Sequence, residues 1–262
     1  MHAMLPEYLL VSLTALFASG LTLFSGFGLG TLLLPAFLLF FPVQAAIAMT
    51  AIVHFLNNLF KLALMGKEAD RHTVAQFGIP AILAALLGAW LLIRIADMGN
   101  LAVYSVFDRQ HAISVPKLLV AILMLGFALF EGSRFSETLT VKDRRYLIVG
   151  GLLSGFFGGL SGHQGAFRSA FLVSSGLSKN AFIATGVVIA CLVDLSRLSL
   201  YATSLTSLDL TLWPLLATAV VSAFIGALLG ARLLKKVTLQ WVKRMVTAML
   251  CITALLLGSG IL

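Results

Sequence analysis

The sequence predicts an all-α polytopic membrane protein. It is built of two inverted-topology repeats of about five apolar segments each, one segment per repeat being short or broken, with roughly eight to ten transmembrane helices. Three observations carry this prediction. The 262 residues are 60% hydrophobic and only 11% charged, against about 45–50% apolar and about 25% charged in a soluble domain. The apolar residues gather into ten unbroken runs, where a barrel would alternate with period two. Finally, the two sets of five share short strings in the same order. A soluble enzyme, a nucleic-acid module and a disordered chain are excluded by composition alone.

The runs are 9–24, 31–41, 45–65, 73–96, 116–131, 146–160, 165–176, 180–203, 210–234 and 241–262. A spanning helix needs about 20 apolar residues, which 45–65, 73–96, 180–203, 210–234 and 241–262 supply. Segments 9–24, 116–131 and 146–160 must borrow flanking residues. Segments 31–41 and 165–176 are too short to span and follow the glycine-rich breaks Gly26-Phe27-Gly28-Leu29-Gly30 and Gly158-Gly159-Leu160-Ser161-Gly162. They read as half-helices or re-entrant pieces.

Both short segments are second in their set, which suggests duplication. Residues 85–92 match 227–234 at seven of eight positions. Asn58-Leu59-Phe60-Lys61-Leu62 parallels Asp194-Leu195-Ser196-Arg197-Leu198, and Ser25-Gly26-Phe27 parallels Ser154-Gly155-Phe156. The expected organisation is a first repeat over 1–131, a cytoplasmic basic linker over 132–145 and a second repeat over 146–262.

The net charge of +8 is a matter of topology, because cytoplasmic loops are rich in Lys and Arg. Most basic residues fall in three places: Lys61, Lys67 and Arg71; Arg134, Lys142, Arg144 and Arg145; and Arg232, Lys235, Lys236, Lys243 and Arg244. These go inside. Both termini, the 204–209 loop and the charge-balanced 97–115 loop go outside. The first set then begins outside and ends inside, and the second does the reverse. The chain is expected in the cytoplasmic (inner) membrane, with the lipid bilayer as its surroundings and no nucleic acid as partner. No basic stretch opens the chain, so no signal peptide is expected. Cys191 and Cys251 lie inside apolar runs, which argues against a disulfide framework or a metal site. No cofactor is expected.

Glycines spaced at four, Gly151, Gly155 and Gly159, Gly158 and Gly162, and Gly226 and Gly230, fit close helix packing. The stretch from Ser161 to Ser169 adds polar groups and a cation at the head of a short segment. A helix N-terminus there offers unpaired N–H groups to an anion. The first break, followed by Pro35 and then Ala45 to Thr50, resembles the first signature of the TauE/SafE sulfite-exporter family, part of the wider toluene-sulfonate uptake permease (TSUP) family. Gly151 to Gly165 followed by Ala181 to Thr185 resembles its second signature. The resemblance covers nearly the whole chain. It implies a secondary transporter of a small sulfur-containing anion such as sulfite, thiosulfate, sulfoacetate or another organosulfonate. The second signature commonly continues glycine-rich into an apolar stretch with a Pro. Here His163, Gln164 and Arg168 stand in that stretch.

Ionisable residues inside membrane segments are functional candidates by default. Arg168 can hold two oxygens of a sulfonate at once. His163, Gln164 and the Ser161 hydroxyl, with backbone at Gly162, Gly165, Gly28 and Gly30, can complete an oxyanion cage, and Asn58 can line the pathway. His54, one turn before Asn58, is a candidate proton carrier. Asp194 and Arg197, three apart on a helix, can pair and act in coupling or gating; a structural ion pair near the outer membrane end is the competing reading. Lys61 is expected to snorkel to the cytoplasmic interface. Thr50 and Thr185, in corresponding helices, are expected to bond their own helix backbone.

No phosphate-binding Gly-x-x-x-x-Gly-Lys pattern is present, so energy must come from a gradient; a coupling proton or sodium ion and a homo-oligomer are both compatible with the sequence. Two other function classes are weighed. One is a membrane scaffold or subunit for a partner. The other is an intramembrane serine hydrolase using Gly159-Leu160-Ser161-Gly162, which needs a base within reach of Ser161. Transport is preferred, and no enzymatic activity is expected.

Overall fold

The computed structural model describes residues 5–25, 28–106, 109–133, 145–205, 212–233 and 238–262. Ten α-helices occur among them: α1 (Leu5–Ser25), α2 (Leu29–Leu38), α3 (Val43–Met65), α4 (Arg71–Ala96), α5 (Val115–Gly132), α6 (Tyr146–Ser161), α7 (Gly165–Leu172), α8 (Lys179–Leu205), α9 (Trp213–Leu233) and α10 (Leu239–Gly258). Six of these, α1, α3, α4, α5, α8 and α9, are long and apolar enough to cross a membrane. The chain is an all-α polytopic membrane protein.

Local chemistry sets the ends. Asp70 caps α4 by accepting from the Thr73 amide at 2.7 Å, the usual service of an N-cap carboxylate. Pro42 precedes α3, and Pro116 opens α5, where a missing N–H costs nothing. α6 stops at Gly162, whose φ of +81° is left-handed and open chiefly to glycine. That residue turns the chain straight into α7. With 10 and 8 residues, α2 and α7 are about 15 Å and 12 Å long. Neither crosses a hydrocarbon core of about 30 Å, as expected of half-helices.

Packing pairs helices from opposite halves of the sequence. α4 lies on α6 and α1 on α9, while α3 packs on α8 and α5 on α10. Gly151, Gly155 and Gly159 of α6 sit against the carbonyls of Phe77, Ala81 and Ala85 of α4, so these two helices run parallel. Gly226 and Gly230 of α9 face Leu16 and Gly20 of α1 in the same sense. By contrast, Gly132 meets Thr247 while Gly258 meets Ala121, so α5 and α10 run antiparallel. A Cβ at Gly155 would fall on the Ala81 carbonyl oxygen. Gly155→Ala is therefore expected to destabilise the purified protein by about 1–3 kcal/mol through overpacking. Gly126→Ala, with nothing within 4 Å of its added methyl, should be neutral or raise stability by up to about 1 kcal/mol. Thermal unfolding of both variants in detergent checks the contrast.

Three sequence expectations change. The 97–115 loop contains an antiparallel hairpin, β1 (Asn100–Val106) and β2 (Arg109–Ser114). The hairpin is tied to the end of α10, because the Tyr104 hydroxyl donates to the Ser259 carbonyl. Ser154-Gly155-Phe156 lies in the middle of α6 rather than at a break. The better counterpart of Ser25-Gly26 is Ser161-Gly162. In both halves 14 residues separate the start of the short helix from that of the long one, Leu29 to Val43 and Gly165 to Lys179. On the same register Gly28 corresponds to Gln164, Asn58 to Asp194, Lys61 to Arg197 and Thr50 to Gly186 rather than Thr185. Thr185 accepts from the Asp70 amide at 2.9 Å, and the Thr50 hydroxyl has no partner among the described residues; neither bonds its own helix. Gly26, Phe27, Arg134, Lys142, Arg144, Lys235, Lys236 and most of the 204–209 loop lie outside the described residues.

Candidate anion site

The two half-helices meet head to head. Gly28, the N-cap of α2, lies so close to α7 that a Cβ there would be 3.7 Å from the Gly165 backbone and 3.8 Å from His54 Nε2. A Cβ at Gly30 would stand 3.3 Å from the Gly162 carbonyl. The first turns of two helices, each with amides lacking intrahelical acceptors, thus point into one region beside α3 and α8.

A cavity of about 180 Å³ opens there. Gly28, Leu29, His54, Asn58, Lys61, Arg168 and Lys179 line it, with Thr22, Ser169 and an apolar wall that includes Leu172, Phe182 and Ile183. It extends to the start of α8, where Lys179 is exposed. Among the described residues, three cations and no carboxylate line it. Every residue of α2 is buried, packed with Val43 and Ile47 of α3 into the larger hydrophobic core.

Behind the cavity wall runs a buried polar chain. Asp194 and Arg197 of α8 are fully buried. Arg197 donates to Asp194 Oδ1 through Nε at 3.0 Å and Nη2 at 2.7 Å, and to the Gly158 carbonyl at 3.2 Å. Asp194 Oδ1 also accepts from Gln164 Nε2 at 2.9 Å, while Oδ2 takes His54 Nδ1 at 2.5 Å. With Nδ1 donating to the carboxylate, His54 Nε2 is left to accept from Asn58 Nδ2 at 3.3 Å. Gln164 is held by both amide ends, since its Oε1 accepts from Arg168 Nη1 at 3.3 Å. The Ser154 hydroxyl fixes its backbone by donating to the Gln164 carbonyl at 2.9 Å. Gln164 thus joins the ion pair to the Arg168 guanidinium on the cavity.

The structure brings Arg168, Gly28, Asn58 and His54 together on the cavity, with Gln164, Asp194 and Arg197 directly behind them. His163 and Ser161 are elsewhere. His163 stacks parallel on Phe127 of α5 with ring centroids 5.0 Å apart, beside Phe157 and Phe167, and does not line the cavity. Ser161 donates to the Phe157 carbonyl of its own helix at 3.2 Å and lies 3.2 Å from His163 Nδ1. The Asp194–Arg197 pair sits mid-helix in the core, not at a helix end. Lys61 does not snorkel to an interface but is buried. In the amide orientation that satisfies both ends of Asn57, that residue accepts from Lys61 Nζ at 3.1 Å and donates to Ser19 at 2.9 Å. Lys179, Thr22 and Ser154 were missed; nothing in their spacing marks them, whereas Lys61 could have been found as the counterpart of the buried Arg197.

The two half-helices thus meet at a cavity lined by Arg168, Lys61 and Lys179 inside a polytopic helical protein. The family described as sulfite exporter TauE/SafE matches residues 11–257, and the chain belongs to that family. No curated protein matches the sequence.

Proposed function

We propose that the protein is a secondary transporter that moves a small sulfur-containing anion, such as sulfite, thiosulfate, sulfoacetate or another organosulfonate, across the cytoplasmic membrane by alternating access. The cavity carries this reading: it gathers Arg168, Lys61 and Lys179 beside the α2 N-terminus, and no carboxylate lines it among the described residues. Charge held in low dielectric at Arg168 and Lys61 is costly, and a bound anion relieves that cost. Arg168 supplies a planar fork for two sulfonate oxygens. The first turn of α2 adds N–H donors, and Asn58 and His54 frame the opposite side.

The chain on this reading is two inverted repeats, 1–131 and 146–262, joined by a cytoplasmic basic linker at 132–145. The antiparallel run of α5 against its counterpart α10 supports the inversion. With the basic loops inside and both termini outside, the cavity mouth at Lys179 faces the cytoplasm. His54, hydrogen-bonded to Asp194 at the cavity wall, is the group best placed to carry a coupling proton, though sodium coupling fits the same frame.

A serine hydrolase is not favoured. The Ser161 hydroxyl is buried and off the cavity, so no substrate bond can approach it as the structure stands. A scaffold role would need neither the cavity nor its cations.

The test is counterflow of labelled sulfite, with sulfoacetate and thiosulfate in parallel, in liposomes holding only this protein. Saturable exchange above protein-free liposomes is expected for at least one of them. Absence of exchange with all three, from folded protein, would overturn the reading.

A further inference from the structure

We infer that a groove between α4 and α8 holds one anionic phospholipid, its phosphate on Lys67 and Arg71 and an acyl chain along the apolar helix walls beneath them. The inference is independent of what the anion cavity carries and follows from the membrane setting of the fold.

The groove has a volume of about 460 Å³. Its mouth lies at the 3-10 turn Gly66–Glu68. The Asp70 amide ties that turn to α8 by donating to the Thr185 hydroxyl at 2.9 Å. Below the turn, Ile79 and Ile82 of α4 and Val188 and Leu192 of α8 form the walls. The two helices touch at Gly78, whose added Cβ would come within 3.3 Å of Leu192 Cδ1. Ile79 is 60% exposed on a helix long and apolar enough to cross a membrane, so the groove opens toward lipid. Its length fits one chain. Ile82 stands eleven residues past Arg71, about 16 Å along the helix. One leaflet is half of a hydrocarbon core of about 30 Å. The apolar wall thus ends near the midplane, where an acyl chain anchored at the interface also ends.

Charge selects the headgroup. Lys67 and Arg71 are exposed and line the groove, and no carboxylate lines it among the described residues. Of the two acids beside them, Glu68 is exposed and off the groove, and Asp70 is occupied as the N-cap of α4, its Oδ1 held by the Thr73 amide at 2.7 Å. Among the described residues neither cation is in an ion pair. Basic pockets between transmembrane helices on the cytoplasmic side suit anionic headgroups, and both residues fall on that side in the orientation proposed above. A zwitterionic lipid would bring its own ammonium to the same cations. A soluble anion would use the cations and leave the apolar wall idle. Groove and anion cavity lie on different faces of α8: Ile183, Gly186 and Val187 line the cavity, Val188 and Leu192 the groove. A lipid seated there braces the helix that carries Asp194 and Arg197.

The test is thermal unfolding of delipidated protein in a nonionic detergent, titrated with dioleoyl phosphatidylglycerol, dioleoyl phosphatidylcholine or glycerol phosphate. Stabilisation grows with ligand concentration over Kd. Phosphatidylglycerol is expected to act at about tenfold lower content than phosphatidylcholine, and glycerol phosphate not at all. Lys67→Ala should weaken the phosphatidylglycerol effect about fivefold, and Lys67→Ala with Arg71→Ala roughly 30-fold. Arg244→Ala removes an exposed cation from outside the groove and should leave the effect unchanged. Ala75→Phe fills the groove from an exposed position on its wall and keeps both cations. It should abolish the preference for phosphatidylglycerol, and Ala75→Leu, a smaller filling, should weaken it in the same direction. Equal stabilisation by phosphatidylcholine overturns the proposal. So does glycerol phosphate acting as well as the lipid, which would mark a free-anion site. A loss with Arg244→Ala as large as with Lys67→Ala would mark summed surface charge instead. Undiminished phosphatidylglycerol binding in both Ala75 variants would remove the chain from the groove.

Discussion

Arg168→Ala is expected to weaken anion binding by roughly 10- to 100-fold, the effect of losing about 1.5–3 kcal/mol of charge-assisted hydrogen bonding. Arg168 is the guanidinium that reaches the cavity, and among the described residues its hold on the protein is one long bond from Nη1 to Gln164 at 3.3 Å. Its removal therefore costs little folding energy while stripping the site of its planar donor. Arg168→Lys should fall between the two, because an ammonium keeps the charge but cannot present two parallel N–H groups. The readout is the thermal stabilisation produced by sulfite or sulfoacetate, which grows with anion concentration over Kd. Undiminished stabilisation of the alanine variant would remove Arg168 from the site.

The second large effect lies in the wall. Asp194→Asn leaves Arg197 fully buried with only the Gly158 carbonyl as a certain acceptor. Breaking a buried pair from one side costs about 3–5 kcal/mol, whereas replacing both partners with apolar groups is often close to neutral. Asp194→Asn is thus expected to lower the unfolding temperature sharply, and Asp194→Asn with Arg197→Met to recover much of the loss. If the double variant is no more stable than the single one, the stranded guanidinium is not the cause. The same substitution turns one of the two acceptor oxygens into a donor, so either His54 or Gln164 loses its acceptor, and transport should fall in both variants even where stability recovers.

Much of the architecture was legible because lipid leaves few choices. A run of apolar residues long enough to span has to be a helix, and a run too short after a glycine break has to be a half-helix. The hairpin escaped notice because its seven- and six-residue strands sit in a charge-balanced loop between strong helical signals, and Leu101 and Val103 remain exposed. The site was legible in kind but not in arrangement. Arg168, His54, Asn58 and the Asp194–Arg197 pair were all marked by their cost in an apolar setting. That His54 meets Asp194 across 140 residues depends on how α3 crosses α8, which no spacing encodes. His163 misled because a polar side chain next to Gln164 looks like a ligand, while the fold turns it toward the Phe127 ring. Lys61 misled in the opposite sense. Proximity to a helix end suggested a solvated amine, but α1 supplies Ser19 to hold Asn57 and, through it, the amine indoors.

The crossed pairing of α1 with α9 and α4 with α6 has one more consequence. Neither half of the sequence owns a rigid body. Each tightly packed rod is shared, as in an isologous two-fold dimer, where one surface meets its own copy and every contact occurs twice. The two seams are built differently: the α4–α6 seam stacks three glycines on carbonyls, and the α1–α9 seam uses Gly226 and Gly230. A seam pinned by three backbone contacts has fewer ways to slide than one pinned by two.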